Sequence, residues 1–130
     1  MTPGGMRVAL AGWAGAKIIS KKFDRMGGKQ TGYKWAWNGD EQTPCAPAGG
    51  GLYGWGWNSE ASIEELPNYP GDLNAVAQLE ARLTDVERTV YLSFLTKKDQ
   101  RSLTETWFPA VTATAPQRCE ALCRTLGLWT

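Results

Sequence analysis

The sequence predicts a single α/β domain over residues 1–130, of the α+β kind in which helices and a small sheet share one core. Three observations predict it. The chain is 130 residues long, enough for one real hydrophobic core. Its C-terminal half carries apolar stripes at helical spacing, each opened by a capping signal. Two segments, Tyr33–Trp37 and Tyr53–Trp57, alternate aromatic with small or polar residues at the period of a strand.

The elements follow in order. Thr2-Pro3 is a helix start, a capping hydroxyl followed by Pro where its missing N–H does no harm. Met6, Val8, Ala9, Leu10 and Trp13 continue it to near Gly15, although Gly4, Gly5 and Gly12 each weaken a helix by about 1 kcal/mol relative to Ala. Ile18, Ile19 and Phe23 among lysines read as a short strand, closed by a turn at Met26-Gly27-Gly28. Tyr33-Lys34-Trp35-Ala36-Trp37-Asn38 recurs twenty residues later as Tyr53-Gly54-Trp55-Gly56-Trp57-Asn58. The simplest geometry is two neighbouring antiparallel strands, their six rings on one face, joined by a flexible Gly/Pro-rich loop over 40–52. After a linker, Asp72 caps a helix over about 73–83 with Leu73, Val76, Leu79 and Leu83 as its stripe. Thr84 and Glu87 form a capping box for a second helix over 85–98, with Val86, Val90 and Phe94 stacked along it and Lys97 and Lys98 at the negative end of its dipole. Trp107-Phe108 is expected to anchor into the core. Thr114 and Gln117 open a third helix over 115–126, which Gly127 stops in the left-handed manner.

Composition bounds the function. The apolar share of 42% and charged share of 21% are ordinary for a globular chain, whereas seven Trp are not. A net charge of +1 argues against a partner as extended as duplex nucleic acid. The charge is unevenly placed, with +4 over residues 1–59, −5 over 60–96 and +2 over 97–130. Such blocks serve complementarity within the chain or between subunits, or mark an anion site near Lys17 to Lys34. No apolar run approaches the roughly 18 residues of a membrane span, and no signal peptide is recognisable. Three cysteines without a secretory address predict reduced thiols in a cytosol.

Three groups of residues carry a family resemblance: Thr2-Pro3 with Met6-Arg7-Val8-Ala9-Leu10; Pro67-Asn68-Tyr69 with Asp72-Leu73-Asn74-Ala75; and Ala113-Thr114-Ala115 with Gln117-Arg118 and Leu126-Gly127-Leu128-Trp129. In this order they resemble small tailed-phage and prophage proteins carrying the phage ABA-sandwich domain. The resemblance spans most of the chain outside residues 16–60, and departs from the group's pattern at Gly4-Gly5. It implies a β-sheet sandwiched between helical layers and a phage origin in the cytoplasm of a host bacterium. It brings no catalytic residues with it.

The chemistry is narrowed by absences in the sequence. There is no histidine, which removes His-based triads, the commonest general base and every imidazole zinc site. No phosphate-binding glycine motif with its Lys-Ser/Thr is present. Cys119 and Cys123 lie on one helix face and read as core thiols; Cys45 reads as an incidental loop thiol. Asp40-Glu41 and Glu64-Glu65 read as solvated loop charge. No metal and no cofactor are expected.

The rings of Tyr33, Trp35, Trp37, Tyr53, Trp55 and Trp57 have two readings. They are a sheet face packed under helices, or a partly open platform on which planar groups stack. Lys29 and Lys34 flank them, and Arg7 or Arg118 could add phosphate contacts if exposed. Aromatic rings beside cations suit a nucleotide. Three functions therefore compete: a phage anti-defence protein that sequesters a host nucleotide immune signal, as a homo-oligomer; a protein–protein inhibitor of a host defence enzyme; and a small carboxylate-based nucleotide hydrolase.

Overall fold

A computed structural model describes residues 1–25, 27–46, 49–96 and 113–130. Among them are four α-helices and one two-stranded antiparallel sheet, a mixed α+β arrangement. They group into two compact units, Met1–Leu10 with Asn68–Thr130, and Ala11–Pro67.

Helix α1 (Pro3–Trp13) begins where its cap predicts. Thr2 Oγ1 accepts a hydrogen bond from Gly5 N–H at 3.0 Å, and the Thr2 carbonyl accepts one from Met6 at 2.9 Å. Met6 and Leu10, one turn apart, are its buried residues in the first unit.

Three further helices complete that unit: α2 (Leu73–Glu80), α3 (Asp85–Thr96) and α4 (Ala115–Thr125). Their caps are those the sequence predicts. Asp72 accepts from Asn74 N–H at 2.9 Å, while Thr84/Glu87 and Thr114/Gln117 close reciprocal boxes at 2.8–3.3 Å. Helix α4 packs on α2, on α3 and on the short 3-10 turn Tyr69–Gly71. Val76, Leu79, Tyr91, Leu95 and Leu122 are buried here, each contributing on the order of 1.5–3 kcal/mol. Leu128 N–H bonds the Cys123 carbonyl at 2.7 Å and Gly127 N–H that of Arg124 at 3.3 Å, with Gly127 at φ 71°, the Schellman ending expected of this glycine.

Two details of these helices differ from expectation. Arg82 and Leu83 close by tighter i→i+3 bonds, so α2 ends at Glu80 although Leu83 is still buried. On α3 the buried pair is Tyr91 and Leu95, whereas Val86, Val90 and Phe94 are exposed. The core side of α3 is set by the Tyr91 hydroxyl, which donates to Glu80 Oε2 of α2 at 2.6 Å; the same oxygen takes Arg118 Nη1 of α4 at 2.9 Å. That polar knot joins three helices and turns the apolar triplet outward. The predicted extension of this helix to Lys98 and the Trp107-Phe108 anchor lie outside the described residues.

In the second unit β1 (Ala16–Arg25) pairs along its whole length with β2 (Gly28–Trp37), from Ala16↔Trp37 to Arg25↔Gly28. The sequence led to expect Tyr53–Trp57 as the partner of Tyr33–Trp37; the partner is the lysine-rich segment before it. Tyr53–Trp57 is not a strand. Its Gly54, Trp55 and Gly56 all have positive φ (85°, 54° and 81°), and Trp57 N–H turns back onto the Gly54 carbonyl at 3.1 Å. In the first copy Lys34 and Ala36 hold the chain extended; glycine at both matching positions lets the second copy coil. Just after it, Asn58 pairs with Tyr33 of β2 in an isolated antiparallel bridge.

The described part of the 40–52 loop also differs from a segment that merely connects. Asn38 and Gly39 turn left-handed (φ 57° and 73°), and the chain returns along β2, with Thr43 O accepting from Trp37 N–H at 2.9 Å and Cys45 N–H donating to Trp35 O at 3.0 Å. The outer edge of β2 is thus satisfied without a third strand.

Burial on β2 alternates in the sense opposite to its aromatic pattern. Gly32, Lys34 and Ala36 are buried, while Tyr33, Trp35 and Trp37 are half-buried on the other face. Rings from elsewhere fill the small-residue face: Phe23 stacks on Tyr53 at 5.5 Å between centroids and meets Trp57 edge-on at 5.8 Å. A β-carbon added at Gly32 would lie 2.9–3.1 Å from all three side chains. Gly32→Ala is therefore expected to cost about 1–3 kcal/mol in denaturant unfolding. Gly12→Ala, with open space around it in α1, is expected to gain about 0.5–1 kcal/mol. Equal effects at the two glycines would refute this packing.

Candidate functional site

The face of β2 that carries Gly32, Lys34 and Ala36 is where charge and aromatic surface meet. Lys34 is 5% exposed and is the one charged side chain that is buried among the described residues. Its Nζ sits 4.4 Å from the Trp57 ring centroid, and no ion pair or hydrogen bond of that ammonium is found among the described residues. Trp57 is itself buried. A cation over an indole gains about 0.5–2 kcal/mol, depending on how much water the pair excludes.

Lys34 opens onto a recess of about 130 Å³ lined with Pro44, Ala46, Gly49, Gly51, Trp55, Gly56, Asn58 and Glu65. The Gly49–Gly51–Gly56 wall presents backbone rather than side chains. Gly51 has no alternative: φ is 82°, and a β-carbon there would lie 2.8 Å from the Trp57 backbone. Asn58 is occupied structurally, its Oδ1 accepting from Leu52 N–H at 2.9 Å and its Nδ2 donating to Gly56 O at 3.3 Å. Glu65 is the one carboxylate of the lining. Its oxygens accept from Trp35 N–H at 3.2 Å and from Ser62 N–H at 2.6 Å, so it ties the 3-10 turn Ile63–Glu65 to β2.

Trp55 stands at the rim, 76% exposed. It also holds a left-handed backbone, an outlier for so bulky a residue that costs about 1–3 kcal/mol. An indole kept both in water and in strain has no packing reason for its position.

No protein-family model, curated protein or solved structure matches the chain.

The predicted site residues separate accordingly. Lys34 and Trp55 come together at the recess; Trp57 lies against the Lys34 ammonium and packs, like Tyr53, on Phe23, and none of these three rings lines the recess. Tyr33, Trp35 and Trp37 share one side of β2, opposite to Lys34, so the six rings do not make a common face. The Trp35 indole N–H is buried there without a partner. Lys29 is exposed, near the hairpin end of β2 and opposite Asp24 in register. Arg118 is engaged within its own unit, by Glu80 and by the Ala113 carbonyl at 3.0 Å, and does not lie open for a phosphate. Arg7 is half-buried on α1 and likewise engaged. Sequence reasoning missed Glu65, Asn58 and the Gly49–Gly51 wall. The Gly run was visible, but nothing local says that residue 58 bonds residue 33.

The carboxylate pairs have structural employment. Glu41 pairs with Lys21 at 3.3 Å, and Glu65 caps Ser62. No cluster of His, Cys, Asp or Glu able to hold a metal occurs among the described residues. No helix among them is long and apolar enough to cross a membrane.

The thiols are all held protonated. Burial pushes Cys119 up to about 12, with Cys123 and Glu80 adding to it, and Cys123 up to about 11; burial, then the Glu65 carboxylate, raises Cys45 to about 11. Each exceeds the ordinary value of 9.0, so the fold favours the neutral thiol and the unfolded chain ionises first. Stability is accordingly expected to be full below about pH 9 and to fall as pH climbs toward 12. The Tyr91 hydroxyl, raised by burial and by Glu80, adds to the same slope. Alkaline unfolding titrations of the parent and of Cys119→Ala/Cys123→Ala check it. The variant should show a shallower decline, and an identical slope would overturn the assignment.

Proposed function

We propose that the chain is a non-enzymatic binding protein for a small nucleotide, held by the Lys34 recess and the Trp55 indole. One observation carries this: a buried lysine that forms no ion pair among the described residues opens onto a recess whose rim is an exposed, strained tryptophan. A nucleotide supplies what the two lack, an anion and a planar ring. Stacking on Trp or Tyr is worth about 1–3 kcal/mol per base.

The resemblance to phage ABA-sandwich proteins supports a biological setting for such binding. In that setting the protein is a phage product acting in the cytoplasm of an infected bacterium, as a homo-oligomer whose sheet lies between helical layers. Its role there is anti-defence, removing a nucleotide that signals for host immunity. Hydrolysis is the weaker reading, because Glu41 and Glu65 are already committed to Lys21 and to backbone amides. One observation favours the protein–protein alternative, inhibition of a host defence enzyme: the Val86, Val90 and Phe94 stripe of α3 is exposed.

Calorimetry against mononucleotides, cyclic nucleotides and ADP-ribose-type compounds tests the proposal. Saturable binding is expected, with the ligand recovered intact on heating. Absence of binding to the folded protein by every compound overturns it. Trp55→Gly separates site from scaffold. Glycine relieves the positive φ, so unfolding stability should rise by about 0.5–1 kcal/mol, while nucleotide affinity falls roughly 5- to 150-fold. A variant that loses stability together with binding would make Trp55 a packing residue.

A further inference from the structure

The Lys34 recess is too small for a nucleotide. At about 130 Å³ it falls well below the roughly 300–1,000 Å³ of a pocket that encloses a drug-sized ligand. It holds one group of the ligand, and its chemistry indicates which. The aromatic surface available to an incoming ring is Trp55 at the rim, since Trp57 is buried under Lys34 and packed on Phe23. The interior instead offers a cation and glycine backbone.

We infer that the recess is an oxyanion subsite for a single terminal phosphate, with Lys34 Nζ as its cation and the ligand's ring left outside against Trp55. This deepens the nucleotide reading and rests on it for the ring. The oxyanion part stands on three separate facts. Lys34 is more than nine-tenths buried, lines the recess, and has only the Trp57 ring for a partner among the described residues. Its largely covered position strengthens its attraction for an entering anion, because less water screens it. At Gly49 and Gly56, where a β-carbon would meet nothing within 4 Å, phosphate oxygens can approach backbone without meeting a side chain.

Glu65 opposes this charge from the same lining. Its place is set by Trp35 N–H and Ser62 N–H, both of which it must accept from. The lining is therefore formally neutral, and anion binding is expected to be weak by itself. The ring on Trp55 supplies the remaining affinity. A terminal monoester can place its phosphate inside while its ring stays at the rim. A phosphodiester bridged on both sides cannot enter a recess of this size without drawing sugar in after it.

Titration with inorganic phosphate, followed by ³¹P NMR, tests the subsite without any nucleotide. The parent protein should bind phosphate weakly, in the millimolar range. Lys34→Met, which keeps the stem and removes the charge, should weaken it at least tenfold. Glu65→Gln should tighten it several-fold, and this variant carries the test should Lys34→Met not fold. Trp55→Gly should leave phosphate binding unchanged while lowering affinity for a nucleoside monophosphate. Phosphate that fails to bind the parent, or binds Lys34→Met and Glu65→Gln as it binds the parent, overturns the subsite. If a nucleotide nevertheless binds, the nucleotide reading survives and only its orientation is lost. Lys34-dependent phosphate binding with no gain from any attached nucleoside has the opposite meaning: the subsite stands and the nucleotide reading falls.

Discussion

The sheet unit depends on one missing side chain. Two strands alone bury too little to be stable in water, so this hairpin needs cover on at least one face. Gly32 provides the place for it. Because position 32 has no β-carbon, Phe23, Tyr53 and Trp57 close to within van der Waals contact of the β2 backbone. The consequence extends one residue pair along the strand. Trp57, brought down over Gly32, lies beneath the Lys34 ammonium, and among the described residues its ring is the contact that this cation makes in place of an ion pair. The packing solution for a marginal hairpin thus also places a lysine on a ring, outside any ion pair among the described residues.

The loop from 38 to 58 follows from the same need. Backbone groups of Tyr33, Trp35 and Trp37 face the outer edge of β2, where an open edge would invite pairing with other chains. Thr43, Cys45, Asn58 and Glu65 each satisfy part of it. These contacts draw the Pro44–Ala46 and Gly51–Asn58 stretches to one side of the strand. The recess is what remains between them. Glu65 is best understood here as an edge cap, its oxygens held by Trp35 N–H and Ser62 N–H rather than by Lys34.

Much of the helical unit was legible in the sequence because its signals are local. A capping hydroxyl and a residue three positions on report on each other within one turn, so Thr2, Asp72, Thr84 and Thr114 all cap as read. Which side of α3 faces the core is not local. Val86, Val90 and Phe94 make the better stripe by hydrophobicity alone, and Tyr91 wins because its hydroxyl finds Glu80 and Arg118 on two other helices. The doubled aromatic motif misled for a related reason. Alternation in Tyr53–Trp57 satisfies the strand period, but the alternating partners are glycines, which impose no extended backbone. Reading the residues between the rings, Lys and Ala in one copy against Gly and Gly in the other, separates strand from coil. Lys34 and Trp55 were legible as site residues by type; their meeting was not, because it is made by the turn at Asn38-Gly39 and the bridge at Asn58.

Trp55 shows why this region is more than a packing answer. Glycine at position 55 would let the same turn form without strain, as it does at Gly54 and Gly56 on either side. Burial would justify an indole in a left-handed backbone, since an apolar side chain of that size repays about 1.5–3 kcal/mol when it leaves water. At 76% exposure most of that return is absent, while the backbone cost of about 1–3 kcal/mol remains. The fold therefore carries two features within one small loop system that the described residues leave uncompensated, a lysine outside any ion pair and a strained ring that is mostly exposed. Each has the sign that a bound group bearing a negative charge and a flat surface would reverse. Strain and unpaired charge tend to collect where binding relieves them.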